Sequence, residues 1–253
     1  MKPETENLDV FEPLPRTARS SELLAEEICR VIISGKIRPG ENLPSERDLA
    51  QRFNVTRNTV REALRSLEKL RLLSVRQGSR ITVLDYLDSA GLEFVAEILS
   101  SREGPEKGLM ADIAAAWAVI GNAMINYAVL NCDPSHLPEI RDAVKEFCAE
   151  AEKPAPDVRR LQGLDFEIQN RLVRASGNQV LSFLHNSIRH IYVKVEELFS
   201  PVVANPKKLA KNYDTFLACL ESGDRAKAAA IVAGYFEKGR ENLVRNAKQQ
   251  GGS

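Results

Sequence analysis

The stretch "NVTRNTVREALRSL" (residues 54–67) sets three arginines, Arg57, Arg61 and Arg65, four residues apart. Between them Val60, Ala63, Leu64 and Leu67 recur at the i, i+3, i+4, i+7 spacing of a buried helix face. A helix of this kind meets a core on one side and shows a guanidinium on every turn of the other. Just before it, "SERDLAQRF" (45–53) reads as a short helix: Ser45 follows Pro44, and Asp48 lies three residues on, as at a capped start. "NVT" turns the chain, and Thr56 can cap the second helix, which runs to about Leu70. The period then changes. Two short β-prone runs, 72–76 and 80–84, flank a "QGS" turn and predict a hairpin. A helix over 20–34 precedes them, followed by "GKIRPGENLPS" (35–45), a loop by its Gly and Pro content. Helix, short helix, tight turn, helix and hairpin is the order of a winged helix-turn-helix.

Charge supports a polyanionic partner for this segment alone. The chain is neutral, with 35 basic and 35 acidic residues. Residues 47–80 nevertheless hold nine Lys and Arg against Asp48, Glu62 and Glu68, a local balance of +6, whereas residues 87–253 balance at −2. Such segregation is the footprint of a phosphate-binding module joined to a neutral domain.

The remainder is helical by pattern: 89–101, 106–131, 135–152, 157–175, 179–199, 206–222 and 224–248, joined by short loops, predict an antiparallel bundle. The fold class expected is therefore mainly α. A flexible arm covers 1–15, the winged helix-turn-helix 16–86, an all-α domain 87–247, and a disordered tail 248–253. No apolar run approaches the roughly 18 residues that span a bilayer, and the first twenty residues lack the apolar core of a signal peptide. Cys29, Cys132, Cys148 and Cys219 are scattered with no CxxC pair, which suits reduced packing residues in a cytoplasmic protein. No Ser/His/Asp order and no Gly-rich phosphate loop points to catalysis, and Asp165 with Arg171 or Arg174 reads as a helix-surface ion pair.

A helix-turn-helix lays its second helix in the major groove of double-stranded DNA with its N-terminal residues at the base edges. Arg57, Asn58 and Arg61 project there, and arginine can grip guanine through O6 and N7. The hydroxyls of Thr56 and Thr59 suit phosphate oxygens at the helix N-terminus. Gln77 and Gly78 sit at the hairpin tip, positioned to enter the neighbouring minor groove.

The segment "LPSERDLAQRFNVTRNTVREALRSLEKLRLLSVRQGSRITV" (43–83) resembles the winged-helix domain of the GntR superfamily of bacterial transcription regulators. Two positions depart from its pattern: Arg71 stands where a glycine often precedes the paired leucines, and the wing reads "GSRITV" in place of "GRGTFV". The helical remainder resembles the FadR subfamily through "GLEFVAEIL", "LDFEIQNRLVRASGN", "ANP" at 204–206 and "ESGDRAKAA". The resemblance implies a homodimer on a palindromic operator, with Arg47, Thr56, Arg57, Thr59 and Arg61 at DNA-contacting positions and Asn58 and Gln77 at positions of variable type.

Many relatives of this domain class hold a divalent metal through one Asp and three His. By the resemblance, Asp165 takes the Asp position, while Gln169, Tyr213 and Tyr235 replace the histidines, a poor shell for a transition metal. No metal and no other cofactor is expected. His136, His185 and His190 are assigned packing or surface roles. Relatives that lack the ligands fill the cavity with an acyl-coenzyme A. Trp117, Phe236, Tyr213 and Tyr235 fall near that pocket, with Trp117 where an arginine is expected and Phe236 in place of a small glycine. The reading is a DNA-binding regulator modulated by a hydrophobic effector, such as a long-chain acyl-coenzyme A or a fatty acid. Open beside it are a different small carboxylate effector and a constitutive DNA-binding protein whose pocket is filled by its aromatics.

Overall fold

The computed structural model describes residues 20–75, 80–100, 107–194 and 196–250 of the 253. The arm over 1–15 and the wing-tip residues Gln77 and Gly78 lie outside the described residues. Two compact units divide the chain between Glu103 and Gly104.

The first unit runs α1 (Ser20–Ile33), β1 (Asn42–Leu43), α2 (Glu46–Phe53), α3 (Arg57–Lys69), β2 (Leu73–Val75), β3 (Ile81–Val83), α4 (Tyr86–Ser89) and α5 (Leu92–Ser100). Val60, Ala63, Leu64 and Leu67 of α3 are all buried and share one core with Leu24, Ile28, Val31 and Ile32 of α1. β2 and β3 form the expected antiparallel hairpin, with Ser74 opposite Thr82. The loop reading of 35–45 needs a correction: β1 pairs with the other edge of β3, giving the order β1-β3-β2. Asn42 faces Thr82, whose Oγ1 donates to Asn42 Oδ1 at 3.0 Å. The two residues of β1 are too few to show a period-2 pattern.

Both helices of the motif end in the same closure. Asn54 N–H donates to Gln51 O and Val55 N–H to Ala50 O; after α3, Arg71 N–H donates to Glu68 O and Leu72 N–H to Leu67 O. These are the paired bonds of a Schellman motif, which needs a left-handed residue. Asn54 (φ 53°) and Arg71 (φ 59°) supply it. Asn adopts that region readily and arginine does not, so the backbone explains why a glycine is usual at position 71.

The division of domains at 86/87 differs from the packing. Phe94 of α5 is buried in the core of the first unit, with Tyr86, Ala90 and Ile98 packed against it. An apolar helix beside other helices in sequence says nothing of which core it joins.

The second unit comprises α6 (Lys107–Leu130), a 3-10 turn (Pro134–His136), α7 (Leu137–Ala151), α8 (Val158–Ala175), α9 (Gln179–Lys194), a 3-10 segment (Glu196–Val203), α10 (Pro206–Glu221) and α11 (Arg225–Gln250). The single helix expected over 179–199 is thus interrupted, and a 3-10 segment containing Pro201 follows it. α11 runs to Gln250, through the first three residues assigned to the tail, and 251–253 lie outside the described residues. Boundaries otherwise follow local chemistry. Asp157 accepts from the Arg159 and Arg160 amides, Asn178 from Leu181, Asn205 from Lys208 and Asp224 from Lys227. Leu109–Leu130 of α6 is, contrary to the sequence reading, long and apolar enough to cross a membrane. Ala114, Met124, Ile125, Ala128 and Val129 are buried, the last four in the core of this unit, as suits a central helix. All four cysteines are free, and Cys29, Cys132 and Cys219 are buried.

Arg71→Gly should stabilise the protein by up to about 1 kcal/mol, because relief of the left-handed strain, about 1–2 kcal/mol, exceeds the added freedom of the unfolded chain, about 0.4–1 kcal/mol. A higher urea midpoint at unchanged slope is the expected result.

Candidate nucleic-acid interface and helical-domain pocket

Thr56 caps α3 with extended backbone angles (φ −75°, ψ 154°), and its Oγ1 accepts the Thr59 amide at 3.2 Å. The two threonine hydroxyls lie 2.9 Å apart. With the apolar face of α3 buried, Arg57, Asn58, Arg61 and Arg65 are exposed together, as expected. Arg57 and Arg65 have no ion-pair partner among the described residues, whereas Arg61 Nε donates to Glu46 Oε2 of α2 at 2.8 Å. Arg47, 75% exposed, lies 3.6 Å from Asp48. This surface therefore presents a capped helix N-terminus, two hydroxyls and a row of guanidiniums, all complementary to a phosphate backbone and guanine edges.

In the second unit the four residues placed at one site by sequence do converge. Asp165 of α8 is buried. Its Oδ1 accepts from Tyr213 Oη of α10 at 2.5 Å, and its Oδ2 from Tyr235 Oη of α11 at 2.7 Å and Gln169 Nε2 at 3.0 Å. The surface ion pair read for Asp165 is thereby overturned: the carboxylate faces inward, and Arg171 pairs with Glu167 at 2.9 Å. Burial pushes the Asp165 carboxyl up to about 6, against the downward pull of the Tyr213, Tyr235 and Gln169 hydrogen bonds. Burial and the adjacent Asp165 charge raise both tyrosines well above their ordinary value.

Beside this cluster lies a cavity of about 30 Å³, bordered by Ile125, Ile168, Leu172, Leu209, Phe216, Ile231 and Val232 together with Gln169, Asn212, Tyr213, Tyr235 and Phe236. Among the described residues no Lys or Arg lines it. Its volume suits a water or two, far below the several hundred Å³ of a metabolite pocket. The missing volume is aromatic. Phe236 packs on Trp117 at 4.9 Å between ring centroids and edge-on to Tyr235, also at 4.9 Å. Trp117 in turn lies 6.2 Å from Phe199. Two glycines admit these rings. A Cβ at Gly121 would collide with Phe236, and one at Gly239 with Trp117. Each of α6 and α11 therefore offers one bulky ring and one glycine to the other.

His185 is buried against Phe166 (4.3 Å between centroids), with neither ring nitrogen partnered among the described residues. Burial, then the nearby Arg189, lowers its pKa to about 4. His136 is half-buried in the 3-10 turn beside Ser135, and the side chain of His190 lies outside the described residues.

Residues 21–83 match the family described as "Bacterial regulatory proteins, gntR family", and residues 112–238 match the FCD domain. The chain belongs to the gntR family, with an FCD domain. Its relatives include the HTH-type transcriptional regulator Mce2R of Mycobacterium tuberculosis, 28% identical, with 91% of this chain and 94% of that protein covered. The fatty acid metabolism regulator protein of Vibrio vulnificus is 24% identical, with coverages of 86% and 90%. Lar, which controls expression of the agr system in Listeria monocytogenes, aligns with a TM-score of 0.55 over 92% of this chain and 99% of its own, at 15% identity, which speaks to the fold alone. This gntR-family chain is a transcription regulator, as its relatives are named.

The divalent metal that the family resemblance raises does not fit here. Three of the four groups turn a hydrogen toward Asp165 where a ligand would offer a lone pair, and both carboxylate oxygens are already engaged. Sequence reasoning missed three residues. Glu46 was visible in "PSER" but had no assigned partner, and nothing in the sequence couples Gly121 to Phe236 or Gly239 to Trp117.

A carboxyl held at about 6 in the fold, and near 3.9 when unfolded, favours the folded state below pH 4 and loses that advantage as pH rises through 6, on the order of 2–3 kcal/mol. Relative to wild type, Asp165→Asn should therefore lack this fall in stability between pH 4 and 6, read from urea midpoints across that range.

Proposed function

We propose that this regulator binds a palindromic double-stranded operator as a homodimer through α3, with Arg47, Thr56, Arg57, Asn58, Thr59 and Arg61 on the DNA and Gln77 and Gly78 at the wing tip. The observation that carries the reading is the division of α3 into a buried apolar face and an exposed face of arginines, behind a threonine-capped N-terminus. Dimerisation is supported by α6, which has no charged residue from 113 to 130 yet leaves Val119, Tyr127 and Leu130 exposed along one side. A cytoplasmic location follows from action on DNA.

The effector reading is a hydrophobic, fatty-acid or acyl-coenzyme A-like metabolite in the cavity lined by Gln169, Tyr213, Tyr235 and Phe236, with Asp165 and Trp117 packed behind that lining. The apolar lining and the fatty acid metabolism regulators among the relatives support it. Binding shifts operator affinity only if the ligand prefers one of two dimer conformations. A second reading, constitutive DNA binding, is favoured by the small cavity and by the rings that fill it.

Arg57→Ala should cost roughly 1–3 kcal/mol of specific operator binding and leave the dimer intact in light scattering; unchanged affinity would remove α3 as the recognition helix. Fluorescence anisotropy on DNA from upstream of the protein's own gene, with and without long-chain acyl-coenzyme A or the free fatty acid, separates the two readings. Release by either lipid supports the effector, and tight binding indifferent to both supports the constitutive protein.

A further inference from the structure

The basic face of the first unit includes an acid that its charge does not call for. Glu46 opens α2 directly after the Ser45 cap, a position where the helix dipole favours a carboxylate. Its Oε2 accepts from Arg61 Nε at 2.8 Å across fifteen residues of chain, so the bond joins two helices and is not a neighbour pair within one. Both side chains stay accessible, Arg61 at 57% and Glu46 at 32%. With Nε committed to Glu46, the guanidinium keeps the four N–H donors of Nη1 and Nη2. Those two terminal nitrogens are what a bidentate contact with guanine O6 and N7 requires. Arg57, with no ion-pair partner among the described residues, lacks any comparable brace.

We propose that Glu46 is a positioning residue for base readout: it fixes the Arg61 side chain before DNA arrives, so that the pair selects guanine at one position of each half-site. Ordering a long arginine in advance removes part of the entropy lost on binding. The carboxylate also repels phosphates, which lowers affinity for every sequence alike. Positioning and repulsion therefore move specific and non-specific binding in opposite directions when Glu46 is removed. The inference rests on the operator reading above, and the test separates the two.

Full-length protein selects its consensus from duplexes with a randomised centre, and the consensus is resynthesised with each base pair permuted. Anisotropy is then measured for wild type, Glu46→Ala, Glu46→Gln, Arg61→Ala and the double variant. Glu46→Ala should bind the consensus roughly tenfold more weakly, bind an unrelated duplex more tightly, and flatten discrimination at the one guanine that Arg61→Ala also flattens. The double variant should be no worse than Arg61→Ala, and Glu46→Gln, which keeps an acceptor oxygen, should recover part of the preference. A guanine preference intact in Glu46→Ala, or a loss spread evenly over all positions, overturns the proposal while the operator reading stands. Failure of wild type to select any consensus overturns both. An exposed ion pair adds little to folding, and equal thermal unfolding of the variants confirms that the comparison is between folded proteins.

Discussion

Three hydrogen bonds converge on the Asp165 carboxylate, from Tyr213 on α10, Tyr235 on α11 and Gln169 one turn along α8. Removing a carboxylate from water costs several kcal/mol, and hydrogen bonds to a charged group return about 1.5–3 kcal/mol each. The site is therefore sustained only while all three donors remain in place. Three helices are held in register by one ionised group, and the cavity beside it shares three of these four residues. Anything larger than a water or two must push back a lining that includes all three donors, and so acts on the relative placement of α8, α10 and α11. A weak spot in the electrostatics and the mechanical hub of the domain are the same atoms.

The first unit obeys a different constraint. Its α3 is fixed from within by four apolar residues and from its ends by a threonine cap and a Schellman closure. Apart from the Thr56 hydroxyl, which caps the helix and also lies on the outer surface, none of these uses the exposed face. Arg57, Asn58 and Arg65 are left free of structural duty, and Arg61 is engaged only with another exposed side chain. Stability and recognition are thus assigned to opposite sides of one helix, so the outer face can change its sequence preference with little consequence for the core.

What the sequence made legible follows from the range of the signals involved. The helix-turn-helix is written in neighbouring residues: Ser45 with Asp48, Thr56 with Thr59, Val60 with Leu64 and Leu67. Each acts within a turn or two, and the structure reproduces them. β1 was hidden because two residues carry no period, and the assignment of α5 to the first core because Phe94 finds its neighbours across a distance that pattern does not measure. Asp165, Gln169, Tyr213 and Tyr235 were recognisable as one site only through family resemblance; the hydrogen-bond polarity that makes them unfit for a metal is a fact of three dimensions. Arg71 shows the converse. A residue type that departs from the family pattern still occupies the left-handed backbone that the pattern encodes.

The reciprocal packing of α6 and α11 bears on how this domain can change over generations. Trp117 occupies the space over Gly239, and Phe236 the space over Gly121. An added methyl at either glycine is harmful while its facing ring persists and innocuous once that ring has been trimmed. The same alteration thus reverses sign with its background. Lineages can cross between a filled and an open interior only by ordered steps, ring first and glycine second. A descendant that has gained an alanine at position 121 or 239 has in effect closed the way back.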